Sequence, residues 1–192
     1  MKAIVYAKYG SPDVLQLKEI DKPVPQKNEV LVKVNATTVN RTDCATIRAK
    51  PFFMRLVTGL FKPRRPITGT DFAGEIEAIG EDVTSFKVGD KVFGFDDIGL
   101  ESHAQYLTIS EHSALLTVPE NTSYAQAAAS CEGAHYVYNF INKVKLEHGQ
   151  NVLVNGATGA IGSAGVQLLK YFGANVTAVC ATKNIELGSV PK

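Results

Sequence analysis

The chain has 192 residues, of which 45% are hydrophobic and 20% charged, and its formal net charge at pH 7 is +1. These values are typical of a globular protein with a sizeable core, in one large domain or two small ones. The small net charge argues against nucleic acid or an anionic membrane as the main partner, and no apolar run is long enough to span a bilayer. The short apolar run at the N-terminus is broken too early for a signal peptide. Three cysteines, at positions 44, 131 and 180, are too far apart for a disulfide framework or a C-x-x-C metal site. We therefore expect a cytoplasmic protein.

The first 120 residues contain many short apolar runs separated by turn signals. Alternating or β-branched patterns predict strands over residues 2–8, 15–20, 30–36, 71–80, 88–95, 104–109 and 114–119. Such a series is typical of a small barrel or sandwich. Between the third and fourth strands, residues 40–48 predict a short helix that begins at a cap-forming Asn or Thr. We expect this domain to end near residue 120.

The segment from Lys50 to Pro66 contains five basic residues and no acidic residue, interleaved with large apolar side chains. A segment of this kind indicates a lid over a site, an interaction surface or a short amphipathic helix. A helix that covers the barrel with its charges in water explains the pattern equally well. Nucleic-acid binding through the segment is weakly supported, because one basic loop on a near-neutral chain is a poor electrostatic footprint.

Beyond residue 123 the hydrophobic period becomes helical, over 124–143, and a glycine-rich turn follows. A short apolar run at 151–154 leads into glycines at 156, 159 and 162 and then into a second helical pattern. The residues expected to share one face of that helix are Ile161, Ala164, Val166, Leu168 and Leu169. Strand, glycine turn and helix in this order are typical of a dinucleotide site. The spacing is G-x-x-G-x-x-G, one residue off the commonest form, and an ordinary tight turn is the alternative.

Each of these glycines has a predicted role. Gly156 lets the chain turn sharply off the strand, Gly159 lets backbone amides approach a pyrophosphate, and Gly162 lets helix and strand pack closely. The phosphates would lie at the N-terminus of the helix, where unpaired N–H groups and the helix dipole favour negative charge.

The residues after the next strand bear on the choice of cofactor. A β-branched run over 174–180 completes a βαβ unit. A cofactor with a free ribose 2′-hydroxyl usually meets an Asp or Glu near the tip of this strand. Here Thr182, Lys183 and Asn184 follow instead, and they could hold a 2′-phosphate, which a carboxylate would repel. The sequence therefore predicts NADPH rather than NADH, although Lys183 by itself would be an ordinary loop lysine.

Four stretches resemble signatures of the medium-chain dehydrogenase/reductase superfamily, in the order in which that family has them. They are residues 36–43, 69–80, 88–94 and 156–162. The resemblance extends over residues 1–187 and is closest to the zinc-free branch of quinone oxidoreductases and enone reductases. It implies an α/β plus β fold: a GroES-like β-barrel over residues 1–120, then the N-terminal portion of a Rossmann domain, with its parallel sheet, over residues 121–192.

The same resemblance bears on metal binding. Zinc alcohol dehydrogenases of this superfamily have a cysteine at the position of Asn40, a histidine–glutamate pair at Thr70 and Asp71, and another cysteine near Cys131. One thiol cannot provide the three protein ligands of a catalytic zinc, so we expect no metal. Hydride transfer to a quinone, or to a C=C bond conjugated to a carbonyl, needs none. The resemblance thus implies an NADPH-dependent reductase of quinones or enones.

Site residues follow from the resemblance. It places Asn40 near the nicotinamide ribose and the substrate, where its amide could donate to an enolate or quinone oxygen; capping of the next helix is the alternative. Asp43 is expected to position the same turn, and His135 is either a proton donor or a packed helix residue. The residues expected at the cofactor phosphates are Gly156, Thr158, Gly159, Ala160, Ile161, Gly162, Thr182 and Lys183.

The end of the chain raises a second hypothesis. A Rossmann domain has two βαβαβ halves, and this sequence stops soon after the second strand. A two-stranded piece would expose an edge and an apolar face, so we expect a homodimer or other self-association through this sheet. The chain is then either the N-terminal part of a reductase, or a non-catalytic binding or assembly protein, or an inactive fragment that keeps the fold.

Overall fold

The computed structural model describes residues 1–96 and 100–188. Two compact units divide the chain, one over Met1–Ala129 and one from Ser130 onward. The domain boundary that the sequence places near residue 120 stays a prediction. The last four residues of the predicted second domain, 189–192, lie outside the described residues.

The first unit is rich in strands. Its strands are β1 (Lys2–Val5), β2 (Gln16–Glu19), β3 (Glu29–Thr37), β4 (Asp71–Ile79), β5 (Lys91–Phe95), β6 (Tyr106–Ser110) and β7 (Leu115–Thr117). Five of them form one antiparallel sheet in the order β6-β3-β4-β5-β7, and β1 pairs with β2 as a separate antiparallel hairpin. The hairpin is joined to the rest by single bridges from Ala3 to Ala104 and from Val5 to Ile67.

The main core cluster of this unit is built from the five-stranded sheet. Its buried members come from five strands: Val30, Val32, Phe72, Ile76, Val92, Leu107, Ile109 and Leu115. Full burial of such a side chain contributes about 1.5–3 kcal/mol, so this cluster stabilises the unit strongly. Among the described residues β6 and β7 remain the outer strands of the sheet. The barrel predicted from the sequence is therefore an open sheet in this part of the chain, because its outer strands do not pair with each other.

Two short α-helices lie between β3 and β4, and a 3₁₀ turn over Pro12–Val14 lies between β1 and β2. The first, α1 (Arg41–Arg48), lies where the sequence predicts a helix, and α2 (Met54–Thr58) lies within the basic segment. The large apolar side chains of that segment are mostly exposed, including Phe53 and Phe61. A helix therefore occupies only five residues of the segment, and the lid, interaction-surface and amphipathic-helix interpretations stay predictions.

A long helix, α3 (Tyr124–Ile141), begins in the first unit and continues into the second. The second unit then contains β8 (Asn151–Asn155), α4 (Ala160–Tyr171) and β9 (Asn175–Val179), followed by a 3₁₀ turn over Thr182–Asn184 and α5 (Ile185–Gly188). Because β8 and β9 pair in parallel, the predicted βαβ unit is confirmed. No described helix of the chain is long and apolar enough to cross a membrane.

The buried face of α4 differs in part from the predicted one. Gly165, Val166 and Leu169 are buried, whereas Ile161 is 42% exposed. The reason is that Ile161 belongs to the first turn of α4, next to the glycine turn and beyond the end of β8. The sheet itself is poorly covered among the described residues, since Leu153 in β8 is 65% exposed.

Candidate functional site

The glycine turn between β8 and α4 begins at Gly156, whose φ of +77° favours glycine. The backbone N–H groups of Gly156 and Ala157 both donate to the carbonyl of Val179, at 2.9 and 3.0 Å. These bonds hold the start of the turn against the end of β9. The sharp turn predicted at Gly156 is therefore confirmed.

The other two glycines of the turn differ in the space around them. A Cβ added to Gly162 would lie 2.1 Å from the carbonyl oxygen of Gly156, so the close packing predicted at this position is confirmed. A Cβ added to Gly159 would meet only that same oxygen, at an ordinary 3.5 Å. The packing of the chain therefore requires glycine at 162 and leaves room beside Gly159 for a ligand.

The helix that follows begins without a side-chain cap. Gly159 is its N-cap residue, with an extended backbone and no side chain to bond the first N–H groups. The first turn of a helix leaves such donors unsatisfied, and together with the helix dipole they favour an anion. The residues of this turn thus fit the pyrophosphate of a dinucleotide.

The loop after β9 is tied to the glycine turn by a side chain. The amide Nδ2 of Asn184 donates to the Thr158 hydroxyl at 3.1 Å, and the Asn184 N–H donates to the Ala181 carbonyl at 2.8 Å. Thr182 and Lys183 are exposed in the same 3₁₀ turn. The structure therefore brings the predicted phosphate-binding loop to the glycine turn, through a contact that sequence reasoning missed.

Helix α3 packs closely on the start of α4. A Cβ added to Gly133 would lie 2.7 Å from the carbonyl oxygen of Ala160. Two residues later, His135 bonds through Nε2 to the amide of Asn139 at 3.2 Å and contacts the ring of Tyr136 edge-on. His135 is thus a hydrogen-bonded helix residue, and its role as a proton donor stays a prediction.

In the first unit, Asn40 is the N-cap of α1. Its Oδ1 accepts from the N–H of Asp43 at 3.0 Å, and the carboxylate of Asp43 accepts from the N–H of Asn40 at 2.9 Å. This reciprocal pair is a capping box, which satisfies two N–H groups at once. The alternative of a capping Asn40 is therefore confirmed, as is the positioning role of Asp43.

The other end of the Asn40 side chain is also bonded. Its Nδ2 donates to the hydroxyl of Thr70 at 2.6 Å and to the carboxylate of Asp71 at 3.1 Å. Asp71 is 1% exposed and also accepts from the hydroxyl of Thr38 at 2.5 Å. We call Thr38, Asn40, Thr70 and Asp71 the polar pocket. Both amide hydrogens of Asn40 are engaged within it.

Further buried polar groups surround Asp43. Its Oδ1 accepts from the N–H of Gly69 at 2.9 Å, and the Nε2 of His103 lies 3.9 Å from its other oxygen. The ring of His103 bonds on one side to the carbonyl of Thr38 at 2.8 Å and on the other to the hydroxyl of Thr68 at 2.7 Å. Sequence reasoning missed His103, although a Ser-His pair directly before the predicted strand over residues 104–109 was a signal.

A titratable side chain with a shifted pKa lies close in sequence to these groups. The neighbouring Glu101 is partly buried, and burial raises the pKa of its carboxyl while Arg65 partly opposes this rise. Over residues 1–96 and 100–188, no three His, Cys, Asp or Glu side chains are grouped so that they could hold a metal ion. The pocket is thus a hydrogen-bonded network of one carboxylate, one amide and hydroxyls. Asn40 belongs to the first unit and the glycine turn to the second.

Known proteins are similar to this chain over most of its length. The alcohol dehydrogenase GroES-like domain family matches residues 26–120. Human quinone oxidoreductase is 32% identical over 186 residues, which cover 95% of this chain and 54% of that protein. Residues 26–120 thus form an alcohol dehydrogenase GroES-like domain. The resemblance inferred from the sequence motifs and the GroES-like fold are thereby confirmed.

Two further relatives extend this likeness. The 2-methylene-furan-3-one reductase of Solanum lycopersicum is 34% identical over 200 residues, covering 97% of this chain and 49% of that protein. The solved quinone oxidoreductase of Coxiella burnetii is 29% identical, with a TM-score of 0.86, over 97% of this chain and 58% of that one. The chain therefore spans about half the length of the relatives it matches.

Proposed function

We propose that the protein is a zinc-independent, NADPH-dependent oxidoreductase that transfers hydride to a quinone or an α,β-unsaturated carbonyl. The observation that carries the proposal is the glycine turn, which joins β8 to the uncapped start of α4 and is bonded to the loop that holds Lys183. Relatives named quinone oxidoreductase and 2-methylene-furan-3-one reductase support the reaction class.

The chain's own groups define how the cofactor would be held. The N–H groups of Gly156 and Ala157 are bonded to Val179, so the pyrophosphate would be held by the first turn of α4, at Ala160, Ile161 and Gly162, and by the Thr158 hydroxyl. Thr182 and Lys183 would bind the 2′-phosphate. The loop contains no carboxylate between Val179 and Ile185, so nothing there repels that phosphate. When bound, the nicotinamide supplies the hydride, and the protein contributes binding and orientation.

The polar pocket supports the zinc-independent branch. Asn40 bonds to Thr70 and Asp71, whereas a catalytic zinc needs three ligands from Cys, His, Asp or Glu side chains, and Asp71 is the one such side chain in the polar pocket. An electron-poor acceptor such as a quinone or an enone takes hydride without a Lewis acid. We place Asn40 at the substrate, where donation to the developing oxyanion requires one of its two internal hydrogen bonds to exchange.

Thermal unfolding with each dinucleotide tests the proposal. NADPH at about 100 times its Kd should add about 2.7 kcal/mol to the free energy of unfolding, and NADH at the same concentration should add less. Lys183→Ala should abolish this difference, while Lys170→Ala, which changes an exposed lysine at the end of α4, should keep it. A chain whose melting temperature is the same with and without NADPH would contradict the proposal.

Turnover is measured on the same samples. With a quinone or an enone as acceptor, the rate at which nicotinamide absorbance is lost should be unchanged after extensive chelation, since no zinc takes part in the proposed reaction. Binding of NADPH without any reduction would instead favour the second candidate, a non-catalytic binding or assembly protein. The exposed sheet residues Leu153 and Val179 support self-association in either case, and a monomer by light scattering at high concentration would contradict that part.

A further inference from the structure

The loop after β9 is attached to the glycine turn at two points. The first is the backbone attachment, in which the N–H groups of Gly156 and Ala157 share the carbonyl of Val179. The second is the side-chain bond from Asn184 to Thr158, five residues further along the loop. Between the two attachment points lie the exposed Thr182 and Lys183. A segment fixed at both ends has fewer conformations, so its exposed side chains are held near one place.

The bond also orients the hydroxyl of Thr158. A hydroxyl has one hydrogen to donate and two lone pairs that accept. Because the oxygen of Thr158 accepts from Asn184, its own hydrogen is directed away from that amide. Thr158 lies between Gly156 and Gly159, so this hydrogen belongs to the stretch whose backbone fits a pyrophosphate.

Asn184 is itself held in place by the turn to which it belongs. It is partly buried, and its backbone N–H closes the 3₁₀ turn by donating to Ala181 at 2.8 Å. The side chain therefore projects from a closed turn and not from a free loop. Its sequence neighbour is Lys183, the cation that the proposed function assigns to the 2′-phosphate.

We propose that Asn184 is a positioning residue for the dinucleotide: its bond to Thr158 holds the loop that carries Lys183 against the glycine turn and thereby sets the preference for a cofactor with a 2′-phosphate. The inference rests on the proposed function, because it deepens the NADPH assignment. Loss of the bond should weaken NADPH more than NADH, since only NADPH uses Lys183, while both use Thr158.

The test measures Kd for NADPH and for NADH, by calorimetry, with the whole 192-residue chain. Removing a net hydrogen bond of ordinary strength changes Kd roughly 3- to 10-fold. We expect Asn184→Ala to raise the Kd of NADPH by that factor and the Kd of NADH by less. Thr158→Val removes this acceptor and also the hydroxyl proposed at the pyrophosphate, so it should raise the Kd of both dinucleotides, and that of NADPH by more. Thr158→Ser, which keeps the hydroxyl, should retain the original affinity.

Asn175→Ala is the matched control. Asn175 lies at the other end of β9 and donates through Nδ2 to the carbonyl of Gly149 at 2.8 Å, so the same kind of bond is lost away from the turn. This variant should leave both Kd values unchanged. In the Thr158→Val background, Asn184→Ala should have no further effect on the ratio of the two Kd values, because the bond between these side chains is already lost.

Each failure has its own meaning. An unsubstituted chain that binds neither dinucleotide would overturn the proposed function and this inference together. If the unsubstituted chain binds NADPH and Asn184→Ala binds it equally well, the inference alone is overturned. Equal losses for NADPH and NADH would also overturn it, because a purely structural role of Asn184 would not change the ratio of the two Kd values.

Discussion

In the first unit, the buried polar groups around Asn40 bond to one another, whereas in the second unit the glycine turn is held mainly at the end of β9. The polar pocket uses side chains: the amide of Asn40 donates to Thr70 and to Asp71, which is 1% exposed. The glycine turn uses backbone: Gly156 donates to Val179, and the helix after the turn begins without a side-chain cap.

The comparison shows two ways to prepare a site. A network of buried side chains is preorganised but sensitive, because the loss of one member leaves donors or acceptors without partners. A turn built from backbone keeps donors for a ligand, and its geometry depends on the absence of side chains at one or two positions. Substitutions should therefore affect the first unit through lost hydrogen bonds and the second through steric conflict.

The largest effect is expected at Gly162. In Gly162→Ala the new Cβ would lie 2.1 Å from the carbonyl oxygen of Gly156 and 2.9 Å from the Cα of Ala157, and backbone atoms cannot move aside easily. We expect the free energy of unfolding, measured in urea, to fall by about 3 kcal/mol, the upper end of the usual range for overpacking.

Gly159→Ala is the control for this prediction. Its Cβ would meet only an ordinary contact at 3.5 Å, so the loss of stability should stay below about 1 kcal/mol, as for an N-cap change from Gly to Ala. Binding of NADPH should weaken nonetheless, because the added methyl occupies the proposed phosphate side. Equal losses of stability in the two variants would show that the turn is not limited by the packing at Gly162.

A smaller effect is expected at Asp43. Asp43→Ala removes the acceptor for the N–H groups of Asn40 and Gly69 and breaks the capping box of α1. Two donors without partners at this buried position should lower the free energy of unfolding by about 2 kcal/mol. Asp90→Ala removes a single bond from the N–H of Lys87 and should cost less than about 1 kcal/mol. A loss at Asp43 no larger than the loss at Asp90 would contradict the preorganised network.

The features that sequence predicts well in this chain are local. The pattern Asn40-x-x-Asp43 indicates an N-cap with an acceptor three residues later, and the structure has that capping box. The glycine spacing between β8 and α4 likewise indicates the βαβ unit. In both cases the bonded groups are near in sequence, so composition and spacing carry the information.

The features that sequence does not predict depend on distant partners. Asp71 is 31 residues from Asn40, and His103 is 65 residues from Thr38. The spacing of residues along the sequence therefore does not indicate either hydrogen bond. The open sheet also depends on distant contacts. The alternation of apolar and polar residues shows which side chains face a core, but it does not show whether the outer strands pair. Glycines 159 and 162 look alike in the sequence, and only their surroundings show which one the packing requires.

The last prediction concerns the pH dependence of the first unit. Tyr6 is 2% exposed, and burial, followed by its neighbours Tyr9 and Glu101, raises its pKa to about 12. An unfolded tyrosine has a pKa of about 10, so above that value the unfolded chain loses the proton while the folded chain keeps it. The contribution of Tyr6 is thus complete below pH 10 and is lost as the pH rises from about 10 to about 12. Urea unfolding across this window should show a steeper loss of stability in the original chain than in Tyr6→Phe.

Tyr171→Phe is the control, because it changes a side chain that is 83% exposed, and its stability should fall with pH as steeply as that of the original chain. If the stability of Tyr6→Phe also falls as steeply as that of the original chain, the buried hydroxyl of Tyr6 does not govern the alkaline response.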